Sequence, residues 1–160
     1  MKKLQIFAGM LFAFSISACC GGSKCNEVAC ENECDSTGVC NAVICSPEDR
    51  AGIEKALNFY VEAAVKGDSN VARPAFVDGA TITHVENDSI VCLPIQALFD
   101  YYDQTGQHPA SYEIAECNVA GDVAMVRIES KFGDAEFSDI FTLAKEGDDW
   151  KIVSKIFTVK

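Results

Sequence analysis

The alternation of apolar and polar positions is most regular between Phe137 and Phe157, which reads F-S-D-I-F-T-L-A-K-E-G-D-D-W-K-I-V-S-K-I-F. Two runs rich in aromatic and β-branched residues flank Glu146-Gly147-Asp148-Asp149. Such arms suit a half-buried pleat, and the polar centre suits a tight turn, so the pattern predicts a hairpin. Upstream, Tyr112–Val119 and Val123–Phe132 flank Ala120-Gly121-Asp122, and the strands Ala135–Ala144 and Trp150–Val159 complete a meander. The earlier part of the chain changes period. Ile53, Ala56, Leu57, Tyr60, Val61, Ala64 and Val65 recur at three and four spacing, which predicts one wide apolar helix face. Ser46-Pro47-Glu48-Asp49 opens that helix with a cap, a proline at the first helical position and acids at the positive end of the dipole; Gly67 closes it. Asp68 caps a shorter helix through Ala72. Phe76–Gly79 reads as a turn, Thr81–Val85 as a short strand, Asn87-Asp88 as a second turn, and Pro94–Asp103 as a further amphipathic helix. Helices first and strands afterwards give an α+β domain over residues 46–160. The expected form is a cone-like curved antiparallel sheet wrapped around two to three N-terminal helices.

The first 45 residues follow a different logic. Met1-Lys2-Lys3 is a positive start, and Leu4–Ser17 is an apolar run too short to span a bilayer. Ile16-Ser17-Ala18-Cys19 then resembles a bacterial lipobox. Residues 1–18 are read as a lipoprotein signal peptide and Cys19 as the lipidated residue, which implies a membrane partner through a lipid anchor and a place in the bacterial cell envelope, periplasmic or surface-exposed. The other reading is ordinary cleavage near Ala18 with Cys19 a structural thiol. Residues 19–45 form a cysteine-rich tether. Nine cysteines in 160 residues point to an oxidising compartment or to metal. Cys25, Cys30, Cys34, Cys40 and Cys45 show no C-x-x-C pair and have no neighbouring histidine, so disulfides are preferred over zinc. Five is odd, so Cys20, Cys92 or Cys117 completes the pairing, or one thiol stays free or bridges two chains. The net charge of -11 argues against nucleic acid and against loose attachment to anionic lipid.

Several pieces of residues 48–160 resemble the nuclear transport factor two-like superfamily, which includes SnoaL-like proteins, and within it the lumazine-binding-like group. They are Val65-Lys66-Gly67-Asp68, Phe76-Val77-Asp78-Gly79-Ala80, Gly121–Val126, Phe137–Leu143 and Trp150–Phe157. The resemblance implies a cone-like α+β barrel, often a homodimer through its sheet. Members range from isomerases, dehydratases and cyclases to non-catalytic binding modules, so fold alone does not choose between them. The superfamily's turn often carries a histidine where this chain has Phe76-Val77, which weakens the case for a shared catalytic histidine.

Candidate chemistry is sparse. His84 shares a strand face with Ile82 and is either a pocket imidazole or a half-buried histidine bonded to backbone; without a placed partner, the second is preferred. Asp139 and Lys155 lie on adjoining hairpin arms, opposite or diagonal, as a surface ion pair or as a tuned pocket acid. Tyr60 sits on the helix stripe. Of Tyr101 and Tyr102 only one can face the sheet, and His108 is expected to be exposed. The candidate ligand-binding residues are Tyr60, His84, Tyr102, Asp139 and Lys155; His84, Asp139 and Tyr60 are the candidates for acid–base work. No cofactor or metal site is expected: phosphate loop, nucleophile elbow and H-E-x-x-H pair are all missing. The expected ligand is a small apolar or aromatic molecule, bound without turnover; the alternative is a cofactor-free isomerase, dehydratase or cyclase.

Overall fold

The structure is a computed structural model and describes residues 45–160. The segment read as a signal peptide, Cys19 and the tether cysteines before Cys45 lie outside the described residues.

Helix α1 (Pro47–Lys66) starts where Ser46 Oγ accepts the Asp49 amide at 3.0 Å and ends at Gly67, in the left-handed conformation with φ 60°. Its stripe from Ile53 to Ala64 is buried. Asp68 caps α2 (Ser69–Ala72), and a single tight turn (Arg73–Ala75) leads into the sheet. The strands are β1 (Phe76–Glu86), β2 (Ser89–Pro94), β3 (Ala110–Ala120), β4 (Val123–Phe132), β5 (Ala135–Glu146) and β6 (Asp149–Val159), with α3 (Gln96–Thr105) between β2 and β3. Their order is β2-β1-β6-β5-β4-β3. The sheet is curved but not closed, since β2 and β3 are both edges. Residues 46–160 thus form an α+β fold, with helices against the concave face of one sheet.

Three expectations need correction. The sheet is mixed rather than antiparallel: β1 runs parallel to β6, which returns beside it after the chain has passed through β2, α3 and three further strands. Phe76–Gly79 is the start of β1 rather than a turn. A register shift between Phe76 and Thr81 breaks its pairing there, and with it the alternation that marks a strand. Ser89–Pro94 is a strand; it pairs with β1 across Asn87-Asp88, both at positive φ as a two-residue hairpin turn requires.

Two further irregularities interrupt the sheet. On β3 the register slips between Ile114 and Glu116. On β6, Leu143 pairs with Ile152 but Thr142 pairs with Ser154, so Val153 is the extra residue of a bulge. Trp150 and Ile152 point to the core before it; Lys155 and Phe157 point to the core after it. A bulge also strengthens the local twist, which bends the sheet around the helices.

Candidate functional site

Between α1, α3 and the concave face of the sheet lies a cavity of about 270 Å3. Tyr60 comes from α1; Leu98, Tyr101 and Tyr102 come from α3. The sheet contributes Ile82 and His84 from β1, Phe132 and Phe137 from β4 and β5, and Lys155 and Phe157 from β6. The walls are almost wholly apolar. Half-exposed Tyr101 stands at the rim, while Tyr102 is fully buried, so the adjacent tyrosines divide as helix geometry requires. The Tyr102 hydroxyl donates to the Tyr60 carbonyl at 3.0 Å, which ties α3 to α1.

One charged side chain enters this lining. Lys155 is 4% exposed and stands 2.7 Å from Oδ1 of Asp139, which is 0% exposed. The two are diagonal across β5 and β6: Asp139 pairs with Phe157, and Lys155 pairs with Phe141. The contact is a buried ion pair. The other oxygen, Oδ2, accepts from Ser130 Oγ at 2.5 Å. Asp139 itself does not line the cavity; it lies behind Lys155. The ammonium nitrogen sits 3.8 Å from the centroid of the Phe157 ring and 5.7 Å and 5.9 Å from those of Tyr60 and Phe137, within range of favourable cation–π contact.

Burial decides the protonation balance. Removal from water disfavours the charged form of Lys155 and draws its pKa below the usual lysine range, against the pull of Asp139. Burial likewise pushes Tyr60 and Tyr102 well above the usual phenol range, with the neighbouring tyrosine and Asp139 adding to the rise at Tyr60 and Asp139 at Tyr102. Both phenols are therefore neutral donors at physiological pH.

His84 shares the inward face of β1 with Ile82, as its position predicts, and packs on Phe157 with ring centroids 5.1 Å apart. Among the described residues it makes no hydrogen bond to backbone. Its Nδ1 is buried without a hydrogen-bond partner among the described residues. His84, Tyr60, Tyr102 and Lys155 therefore share one chamber, but no hydrogen bond joins His84 to Asp139. His108 is half-buried rather than exposed, because its Nδ1 meets the Gly106 carbonyl at 3.0 Å and its ring lies by Phe132. Phe132, Phe137 and Phe157, which form much of the wall, were not among the sequence candidates. Phe137 and Phe157 lie two residues from Asp139 and Lys155 and share their face, which is the signal that finds them.

Away from the cavity, Cys45 and Cys117 are free thiols with sulfurs 3.2 Å apart, and Cys92 is exposed on β2. Burial is the main reason the Cys117 thiol is pushed up to about 12, with Cys45 adding to it. Among the described residues no group of three or more His, Cys, Asp or Glu side chains could hold a metal ion, and no helix is long and apolar enough to cross a membrane.

Comparison with known proteins places this architecture. A fungal protein from Cladobotryum sp., aldolase FrzH, is 30% identical over 102 residues, covering 61% of this chain and 81% of its own. An NTF2-like protein of unknown function from Shewanella baltica OS155 superposes with a TM-score of 0.67 at 34% identity, covering 72% of this chain and 97% of its own. A second NTF2-like protein of unknown function, from Methylobacillus flagellatus KT, gives a TM-score of 0.66 at 32% identity over 74% of this chain and 97% of its own. Residues 48–158 match the family described as "Putative lumazine-binding", and the chain belongs to that family, within the NTF2-like superfamily.

Proposed function

We propose that this member of the family is an exported, lipid-anchored module that binds a small apolar or aromatic molecule without turning it over. The observation that carries the reading is the apolar cavity, open at one side and walled by Tyr60, Phe132, Phe137 and Phe157, which offers few polar contacts. Concave apolar chambers with a small number of convergent polar groups are the usual form of ligand sites. Native mass spectrometry of the purified protein, soaked with a panel of aromatic and aliphatic small molecules, tests it. We expect a one-to-one adduct that Leu98→Trp, which fills the chamber from α3, abolishes. Failure of every panel member to bind in a Leu98→Trp-sensitive way would sink the reading.

A second reading follows from two observations: the Lys155–Asp139 pair at the cavity wall, and similarity to a protein named an aldolase. Together they favour a cofactor-free reaction on a small substrate, whether isomerisation, dehydration, cyclisation or carbon–carbon bond formation. Neutral Tyr60 would then steady a developing oxyanion. Turnover of a retained ligand on prolonged incubation would replace the first reading with this one.

The anchor rests on the lipobox-like Ile16–Cys19, and the address on that segment together with the cysteine count. In bacteria fed labelled palmitate, the wild type is expected to take up label and Cys19→Ala to lose it; label retained by Cys19→Ala would overturn the assignment. Cys45 and Cys117 fit the same address. Their side chains are already neighbours, so an exporting cell that supplies an oxidant would join them and leave Cys20, Cys25, Cys30, Cys34, Cys40 and Cys92 for the remaining pairing.

The homodimer reading rests on the other face of the sheet. Val123, Met125, Ile140, Val153 and Ile156 present their side chains to solvent there, from three adjacent strands. A face of this kind is suited to a second copy, which would bury the same residues from both partners. Met125→Glu is expected to convert a dimer to a monomer in analytical ultracentrifugation, leaving the helical circular dichroism unchanged. A wild type that sediments as a monomer at high concentration would rule the dimer out.

A further inference from the structure

We propose that Lys155 captures carbonyl compounds reversibly: its amine condenses with an aldehyde or ketone held in the cavity and forms a protonated imine. This rests on the small-molecule reading of the cavity and adds the chemical class of its ligand.

Lys155 differs in setting from the lysines of the surface ion pairs, whose side chains are 31% to 61% exposed. Among the described residues its nitrogen is the sole charged group in the chamber wall, and the Phe157 ring lies against it at 3.8 Å. Behind it, out of reach of any ligand, Asp139 supplies a proton acceptor at 2.7 Å, itself fixed by Ser130. A buried ion pair gives little stability that packed apolar side chains would not give, so stability alone does not account for it in a chamber wall. An ammonium that merely anchored an anionic ligand would be poorly placed here, because its charge is already balanced by Asp139. A neutral carbonyl group meets no such opposition. Burial also favours the uncharged, nucleophilic amine over the ammonium.

The step balances without an outside oxidant or reductant. The ammonium passes one proton to the Asp139 carboxylate, and the freed nitrogen lone pair forms the C–N bond while the C=O π pair moves to oxygen. Two protons pass in turn from nitrogen to that oxygen, Asp139 returning its own to the nitrogen after the first, and the oxygen departs as water as the C–O bond breaks. One proton stays on the iminium nitrogen, and Asp139 ends as it began. The positive charge of Lys155 is conserved, so the ion pair survives the condensation.

The test uses naphthaldehyde with sodium cyanoborohydride at neutral pH, which reduces an iminium to a stable secondary amine, followed by peptide mapping. Naphthalenemethanol, which lacks the carbonyl, serves as competitor and as a separate binding probe. Lys155 is expected to label about tenfold or more faster than any surface lysine, because burial leaves more of its amine uncharged and the cavity holds the aldehyde beside it. Excess naphthalenemethanol should suppress that label and leave surface labelling unchanged. The double variant Asp139→Leu/Lys155→Met, which removes both charges together, should lose only the label at position 155. Binding of naphthalenemethanol without preferential labelling of Lys155 would overturn the imine and leave the cavity reading standing. If neither probe enters the cavity, both fall.

Discussion

Replacing Asp139 by alanine is expected to destabilise the fold by about 3–5 kcal/mol, because it strands the Lys155 ammonium in a site with 4% exposure. The ring faces of Phe157, Tyr60 and Phe137 would remain around it, but cation–π contacts of about 0.5–2 kcal/mol do not replace a counter-charge. Urea unfolding of the single variant, set against Asp139→Leu/Lys155→Met, measures this directly. The double variant should come within about 1 kcal/mol of the wild type or exceed it, since two well-packed apolar side chains need no desolvated pair. A loss below about 1 kcal/mol in Asp139→Ala would mean that water reaches the ammonium and the pair behaves as a surface one. The pH dependence gives a second check. Lys155 is held below the usual lysine range, chiefly by burial and against the pull of Asp139. The unfolded chain therefore binds more protons in the interval up to about 10.4, and unfolding becomes harder as protons grow scarce. Relative to the double variant, the wild type should gain stability as pH rises through that interval. Above about 10 the absolute stability of both proteins should fall, because the unfolded chain releases the phenolic protons that Tyr60 and Tyr102 retain when folded.

Gly67→Ala should be nearly as damaging, at about 2–5 kcal/mol, for two separate reasons. Position 67 has φ +60°, which a side chain tolerates poorly, and it closes α1 by donating to the carbonyls of Ala63 and Ala64. An added Cβ would also stand 2.4 Å from the carbonyl carbon of Gly106 and 2.6 Å from the amide nitrogen of Gln107. Those are backbone atoms and cannot swing aside, so the ends of α1 and α3 would have to separate. Gly121→Ala isolates the first cause: its φ is +61° but its surroundings are open, so only about 1–2 kcal/mol is expected. Equal losses for the two variants in chemical denaturation would show that the close approach of the two helix ends carries no strain.

Local signals account for most of what was legible in the chain. Ser46-Pro47 and Gly67 bound α1 because caps and left-handed glycines act within a few residues. The Gly147-Asp148 turn sets the β5–β6 register, and with it the diagonal pairing of Asp139 with Lys155. The Pro94–Asp103 helix lies two residues later, at Gln96–Thr105, since Leu93 and Pro94 belong to β2. That strand escaped notice because Ile-Val-Cys-Leu runs without alternation into a proline, although Asn87-Asp88 announces a hairpin. The parallel join of β1 to β6 could not be read from either strand. It depends on contacts between segments some seventy residues apart in the chain. Likewise, His84, Tyr60 and Lys155 meet through the bend of the sheet, which no short window of sequence encodes. The interior position of Phe157 was readable in principle from its spacing to Lys155, but only once the inward side of β6 was known.

Val153 has a consequence for how this protein can vary. It is the surplus residue in β6, so a chain lacking it would join Ile152 directly to Ser154 and turn the pairs Leu143–Ile152 and Thr142–Ser154 into consecutive rungs of a plain ladder. The amine and its aromatic neighbour would still face inward, because plain alternation would then run unbroken from Ile152 to Phe157. What such a relative would lose is the added local twist, and with it part of the bend that curves the sheet around the helices. The single extra position therefore tunes the shape of the chamber without changing which side chains enter it.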